Sequence, residues 1–434
     1  MVNEAPGEGR DRVAASVSYA LAAGTEIELL EAEHSTSTDA IDLTGNEFAN
    51  AVTGNAGVNR LRGGGGDDIL AGLGGNDVLI GGAGNDVMDG GSGDDNIYVD
   101  DSGDFVIEAT GGGTDRVAAS VSYVLSSDAE IELIEVKDLS STDAINLTGS
   151  NSANTIYGNY GQNFLDGSGG DDVLYGLDGD DYLIGGSGND TLWGGTGDDT
   201  YYVADAGDAV REWGGEGRDR VAASVSYTLT GSSEIEVLEA INSADTTAID
   251  LTGNEFANTL IGNAGSNVLD GKGGSDVLFG NGGADSFAFT TALGSNNVDH
   301  IDDFDTAEDN ILLGAAGGQP FAGLQGGTLS PDAFAAGTEA TSSSHRIVYN
   351  PETGALFYDA DGAGGAAAVQ FATVKPGTAL TAEHFVVTGA PQPATVQQSV
   401  GSTGFRADRY EEDSMQPGLT ADDTALPSMD YFMG

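Results

Sequence analysis

The sequence predicts an all-β protein, a right-handed parallel β-roll or β-helix solenoid with glycine-rich turns and a C-terminal cap. Three observations predict it: two nested repeat periods, an unusual density of glycine, and one large apolar side chain at a fixed place in every short repeat. Self-similarity at a fixed period marks stacked units, each unable to bury its own apolar face alone.

The outer period is 104 residues. Asp11-Arg12-Val13-Ala14-Ala15-Ser16-Val17-Ser18-Tyr19 recurs unchanged at Asp115 to Tyr123 and at Asp219 to Tyr227. Glu26-Ile27-Glu28 returns at Glu130-Ile131-Glu132 and Glu234-Ile235-Glu236, and Leu43-Thr44-Gly45 returns at Leu147-Thr148-Gly149 and Leu251-Thr252-Gly253. These copies divide the chain into a leader 1–10, modules 11–107, 108–212 and 213–289, a cap 290–389 and a tail 390–434.

The inner period is nine, running over 63–98, 167–202 and 271–288. Its sixth position is always aspartate: Asp68, Asp77, Asp86 and Asp95, then Asp172, Asp181, Asp190 and Asp199, then Asp276 and Asp285. Its eighth is apolar or aromatic, as in Leu70, Leu79, Met88 and Ile97. Upstream rows keep the period with asparagine at position six: Asn50, Asn59, Asn154, Asn163, Asn258 and Asn267.

With 69 glycines in 434 residues, the chain has about twice the usual share. Glycine at the first, usually the second, and the fourth positions suits turns with φ > 0 and close backbone approach, and excludes helix. The last three positions form a short strand with its middle side chain pointing inward. Two rows then make one flattened coil, and strands 18 residues apart pair in parallel at about 4.8 Å. The linking stretches alternate as strands, with Val17, Tyr19, Leu21, Ile27 and Leu29 inward. They read as wider, metal-free coils of the same solenoid; a small sandwich in each module is the alternative. Glu28, Glu132 and Glu236 read as surface residues.

One large apolar side chain per nine residues is a thin core against the entropy of ordering nine residues. Stacking also brings like charges together: Asp68 with Asp86, Asp77 with Asp95, Asp172 with Asp190, Asp181 with Asp199. That arrangement disfavours folding until a cation sits between them. Carboxylate and turn carbonyl oxygens suit calcium, which takes six to eight oxygens at about 2.3–2.6 Å, better than magnesium with its tight octahedron. Oxygen-only ligands and the absence of cysteine disfavour zinc and copper. The ten position-six aspartates are therefore the candidate ligands, for about six to ten Ca2+ ions in all. In the third module Asn258 stacks on Asp276 and Asn267 on Asp285, which predicts weaker sites.

Residues Gly63 to Tyr98, Gly167 to Tyr202 and Gly271 to Phe289 resemble the RTX, or haemolysin-type calcium-binding, repeat family. The resemblance implies a type I secreted protein, unfolded in the low-calcium cytosol and folding outside. It also implies that position-six aspartates and turn carbonyls hold the ions. Leu73, Leu177, Ser168, Lys272 and Asn281 depart from the family's second glycine. The stretches Phe287-Ala288-Phe289, Val298 to Asp305, Asp309 to Leu313, Leu356 to Gly362 and Phe385-Val386-Val387 resemble its capping segment. Asp359 and Asp361 begin like a calcium loop but lack the later ligands, and read as a turn. The tail 390–434 is a candidate secretion signal.

Seventy acidic against 14 basic side chains give a net charge of -56, which excludes nucleic-acid or anionic-membrane binding through a basic surface. Residues 1–10 hold no apolar run for a signal peptide, and no membrane-spanning stretch appears. There is no G-x-S-x-G turn and no H-E-x-x-H helix, and His34, His300, His345 and His384 lack metal-ligand spacing. The reading is a secreted calcium-dependent structural or interaction protein, without enzymatic activity, whose partners are calcium ions, type I secretion machinery and a cell-surface or polysaccharide target. The alternatives are the repeat and export portion of an extracellular hydrolase or polysaccharide-modifying enzyme whose catalytic domain precedes Met1, and a calcium-buffering matrix material.

Overall fold

The computed structural model describes residues 9–389. The leader, but for its last two residues, and the tail with its candidate secretion signal lie outside the described residues. From residue 12 to residue 314 short strands alternate between two faces, and on each face they pair in parallel, coil upon coil. Within the nonapeptide blocks the register is 18 residues, as in Leu61 against Leu79 and Leu79 against Ile97. The inner period therefore makes half a coil per repeat, with a strand on each face.

The linking stretches enter the same ladder, so the solenoid runs through them without a separate sandwich. Arg116 pairs with Leu133 and Leu133 with Thr155, coils of 17 and 22 residues. On the opposite face Tyr123 pairs with Leu147, a coil of 24. The linking coils are thus uneven and not uniformly wider. Their inward set also differs from expectation. Leu21 and Ile27 are buried and Tyr19 packs against the core, as do Val121, Tyr123, Val225 and Tyr227 in the later copies, but Val17 of the first copy is 67% exposed and Leu29 is half-buried; Leu30 points inward instead. The alternation slips by one residue between the buried Ile27 and the strand Leu29–Ala32, and such a slip moves the side chains that follow to the other face.

Position eight forms the core. Leu61, Leu70, Leu79, Met88 and Ile97 in the first module, and Leu165, Leu174, Leu183, Leu192 and Tyr201 in the second, are fully buried. They belong to one continuous apolar cluster that reaches Phe287, Phe289, Phe321, Phe371 and Phe385 in the cap. The cap closes the solenoid with the strands Ile347–Asn350, Ala355–Tyr358 and Val369–Thr373, joined antiparallel, so the last apolar coil is covered. Asp359 sits in a turn there: its Oδ1 accepts the backbone N–H groups of Asp361 (3.2 Å) and Gly362 (2.8 Å).

Each 104-residue period spans eleven strands, an odd number, so equivalent strands of successive modules lie on opposite faces. Arg12–Ala15 and Arg220–Ala223 share one face, and Arg116–Ala119 lies on the other. Where the strand ladder is interrupted, after Phe105–Ile107 on one face and after Ala209–Arg211 on the other, the tyrosine of the repeated motif fills the gap. The Tyr123 hydroxyl accepts from the Val106 N–H (3.2 Å) and donates to the Asp104 carbonyl (3.2 Å). Tyr227 does the same with Val210 (3.2 Å) and Asp208 (3.0 Å). Both tyrosines are buried, and burial pushes both phenols up to about 12, so they stay protonated donors.

Tyr123→Phe should therefore cost about 1–3 kcal/mol, the penalty of leaving buried backbone groups unpaired. Tyr19→Phe, at the half-buried first copy, should cost less. Urea unfolding of both variants in saturating calcium measures the difference, and equal midpoints would refute the gap-filling role.

Candidate metal centre

Each glycine turn is shaped by two different demands. Positions two and four need positive φ, as at Gly82 (φ 102) and Gly84 (φ 132). The five departures at position two, Leu73, Ser168, Leu177, Lys272 and Asn281, take φ values of 68 to 88 and are the chain's non-glycine residues with positive φ among those described. They keep the turn at the cost of a left-handed side-chain-bearing residue. Position one is glycine for a different reason: it makes room for the aspartate. A Cβ on Gly81 would lie 2.1 Å from Asp86 Oδ2, and one on Gly176 would lie 2.1 Å from Asp181 Oδ2.

The ten position-six aspartates are all buried and stand in columns along the turn edges. Each Oδ1 accepts the backbone N–H of the residue one coil earlier. Asn50 N–H donates to Asp68 (2.6 Å), Asp68 to Asp86 (2.8 Å), and Asp86 to Asp104 (3.0 Å). In the second module Asn163 donates to Asp181 (2.7 Å), Asp181 to Asp199 (2.7 Å), and Asp199 to Asp219 (2.9 Å). The expected neighbours are thus brought together, Asp77 on Asp95 and Asp172 on Asp190 included.

The columns run further than the nonapeptide spacing indicates. Asp104, Asp115, Asp208 and Asp219 extend them into the linking coils, and Asp299 and Asp309 into the cap. Glu132 and Glu236 then accept from Asp115 (2.7 Å) and Asp219 (2.6 Å), and Glu28 accepts from Asp11 (2.8 Å). These three glutamates are half-buried column members and not free surface residues, because the backbone N–H of the preceding coil needs an acceptor at that place. The signal for them was the same 104-residue recurrence that marks the modules.

The asparagines work differently. Asn163 Nδ2 donates to the Ile145 carbonyl (2.7 Å) while its Oδ1 accepts from Asn159 N–H (2.7 Å). Asn267 repeats this with Ile249 (2.9 Å) and Asn263 (3.0 Å). Both ends of the amide are used, so these rows open each column as neutral, self-satisfied turns.

The second oxygen of the aspartates has no such partner. Oδ2 of Asp68, Asp77, Asp86, Asp95, Asp172, Asp181, Asp190, Asp199 and Asp276 is buried without a hydrogen bond. Burial pushes the carboxyls up, opposed by the backbone N–H and assisted by neighbouring carboxylates, Asp104 beside Asp86 and Asp180 beside Asp181 for example. Asp86 is raised to about 6, Asp181 to about 7 and Asp199 to about 8. Asp285 is likewise raised to about 7, and Asp276 is raised by burial and then by Asp299. Orphaned carboxylate oxygens beside close-packed turn carbonyls form an oxygen-only donor set, which fits a hard divalent cation such as calcium and not a thiophilic metal. His300 contributes nothing to it: Nδ1 meets Thr373 Oγ1 (2.9 Å) and Nε2 lies 3.6 Å from Asp302.

Comparison with known families agrees with this chemistry. The model of the RTX calcium-binding nonapeptide repeat matches residues 44–79, 72–106, 148–183, 175–208 and 252–287. No curated protein matches the chain. Among the described residues no helix is long and apolar enough to cross a membrane.

A carboxyl whose pKa is higher in the folded chain than in the unfolded one binds its proton more tightly when folded, so it favours folding at low pH. With Asp199 at about 8 and Asp86 at about 6 against an ordinary value of 3.8, calcium-stripped protein should gain stability as the pH falls from about 8 towards 4. Far-UV circular dichroism of stripped protein should show β-structure growing over that range. A flat profile, or loss of β-structure on acidification, would contradict the buried columns.

Proposed function

Since residues 44–106, 148–208 and 252–287 match the RTX calcium-binding nonapeptide repeat, we propose that the chain is a secreted structural or interaction protein, without catalysis, that folds when it meets extracellular calcium. The observation that carries this reading is the row of buried Oδ2 atoms without hydrogen bonds. A chain of net charge -56 that buries carboxylates in columns opposes its own folding unless cations or protons neutralise them. In this reading Asp68, Asp77, Asp86, Asp95, Asp172, Asp181, Asp190, Asp199, Asp276 and Asp285 supply carboxylate ligands, and the glycine-turn carbonyls complete about six to ten calcium shells. Binding energy then becomes folding energy, because the unfolded chain has no preformed site.

The same coupling suits export. A low-calcium cytosol keeps the chain open enough for type I secretion machinery, and millimolar calcium outside closes the solenoid. The target surface, in this proposal, is a cell-surface or polysaccharide partner.

Titration of chelator-treated protein with calcium should produce cooperative β-structure by circular dichroism, and equimolar magnesium should not. Full β-structure in chelator at neutral pH would refute the coupled folding. Asp181→Ala with Asp199→Ala should raise the calcium concentration at the midpoint and flatten the transition; an unaltered titration would exclude these two as ligands.

A further inference from the structure

At the end of each of the first two nonapeptide blocks the column geometry changes. A third carboxylate enters from the linking coil: Glu108 joins Asp95 and Asp115, and Glu212 joins Asp199 and Asp219. In each trio one oxygen from every residue lies within 4.8 Å of the others, and all six residues are buried. The trios are separated by the 104-residue period, so the arrangement has formed twice on opposite faces. Glu108 and Asp115, like Glu212 and Asp219, lie beyond the stretches that match the nonapeptide family.

The hydrogen bonding leaves a matched set of free oxygens. Asp95 Oδ1 accepts from Asp77 (2.6 Å), Asp115 Oδ1 from Asp95 (2.8 Å), and Glu108 Oε1 from Ala109 (3.1 Å). What remains, Asp95 Oδ2, Glu108 Oε2 and Asp115 Oδ2, is one buried oxygen per residue without a partner. In the second trio neither oxygen of Glu212 has a hydrogen bond, and Asp199 Oδ2 is equally orphaned. Glu108 and Glu212 are each 4% exposed, so bulk solvent does not reach them. Glycine makes the space. A Cβ on Gly90 would lie 2.4 Å from Asp95 Oδ2 and 2.9 Å from Glu108 Oε2, and one on Gly112 would lie 2.2 Å from Glu108 Oε1.

We propose that each trio is a block-closing calcium site at the end of its column of turn sites, in which Glu108 or Glu212 clamps the last nonapeptide aspartate to the first coil of the next module. This rests on the calcium reading above. Opposite ligands of one calcium ion stand up to about 5 Å apart, so a 4.8 Å cluster closes on a single ion with little movement. Three carboxylates from two adjacent coils and the stretch that joins them make the ion a tie between the block and the linking stretch, where coil length departs from 18 residues and the strand ladder on one face is interrupted. The third block has no such glutamate among its matched columns; Asp276 and Asp285 hand over to Asp299 and Asp309 of the cap instead.

Native mass spectrometry of the full chain in graded calcium chloride counts the ions directly. Glu108→Gln and Glu212→Gln should each bind one ion fewer than wild type at the concentration that just saturates it, and the double variant two fewer. Circular dichroism in excess calcium should show all three folded; if a glutamine variant does not fold, D115N and D219N supply the same count. Unchanged counts in both single variants would overturn the site and assign the trios to shared protons. A wild type that binds no calcium would instead remove the parent reading, so the two failures are distinguishable.

Discussion

The structure depends on burying columns of carboxylates whose two oxygens meet different fates. One oxygen of each aspartate is fixed by the backbone N–H of the coil before it, as Asp181 Oδ1 is by Asn163 and Asp199 Oδ1 by Asp181. That bond sets the register, because it works only when coils are stacked one residue column over the next. The other oxygen is pushed by the same stacking into a space that glycine keeps open and nothing in the chain neutralises. Desolvation then makes the neutral or cation-bound state the stable one. Fold and ion dependence are two consequences of a single bond pattern.

A thin apolar ladder makes that pattern decisive. Each half-coil contributes one fully buried side chain, Leu174 or Leu183 for example, and the strands around it are three to six residues long. Such a core specifies which face points inward but orders each coil only through its neighbours. The places where neighbours fail are where the repeated motif supplies substitutes: Tyr123 and Tyr227 for missing ladder bonds, and Glu132 and Glu236 for the next aspartate. The Asp and Arg of the motif hold partners in an adjacent coil in all three copies, and its Tyr does so at Tyr123 and Tyr227. Arg116 and Arg220, for instance, pair with Glu135 and Glu239.

The nonapeptide blocks were legible in the sequence almost completely. Fixed aspartate and fixed apolar positions nine residues apart imply the half-coil, the stacking partners and the inward ladder, and Leu79 on Leu61 with Asp86 against Asp68 follows directly. The linking coils were less legible because alternation alone does not reveal a slip of phase, so Leu30 faces in where Leu29 is expected. Glu108 and Glu212 were hidden for a different reason: they sit in stretches whose neighbours differ, VIEAT against VREWG, and only three-dimensional convergence with Asp115 and Asp219 gives them meaning. The outer column at position five, where Asp180 accepts from Asp198 N–H (2.9 Å), was likewise concealed by the stronger position-six signal.

The odd number of strands in the 104-residue period adds a geometric consequence. Because equivalent elements of consecutive modules fall on opposite faces, no single edge of the solenoid collects all the carboxylate trios or all the tyrosine-filled gaps. An even number of strands would place every block end above the last and concentrate the ladder interruptions on one face. The half-turn offset instead sets each interruption opposite an unbroken sheet: the ladder that begins at Tyr19–Ala20 runs past the gap after Phe105–Ile107 and ends at Ala209–Arg211, where the sheet on the other face carries on. Continuity therefore passes from one face to the other, and the solenoid extends through modules whose ends, taken one face at a time, are broken.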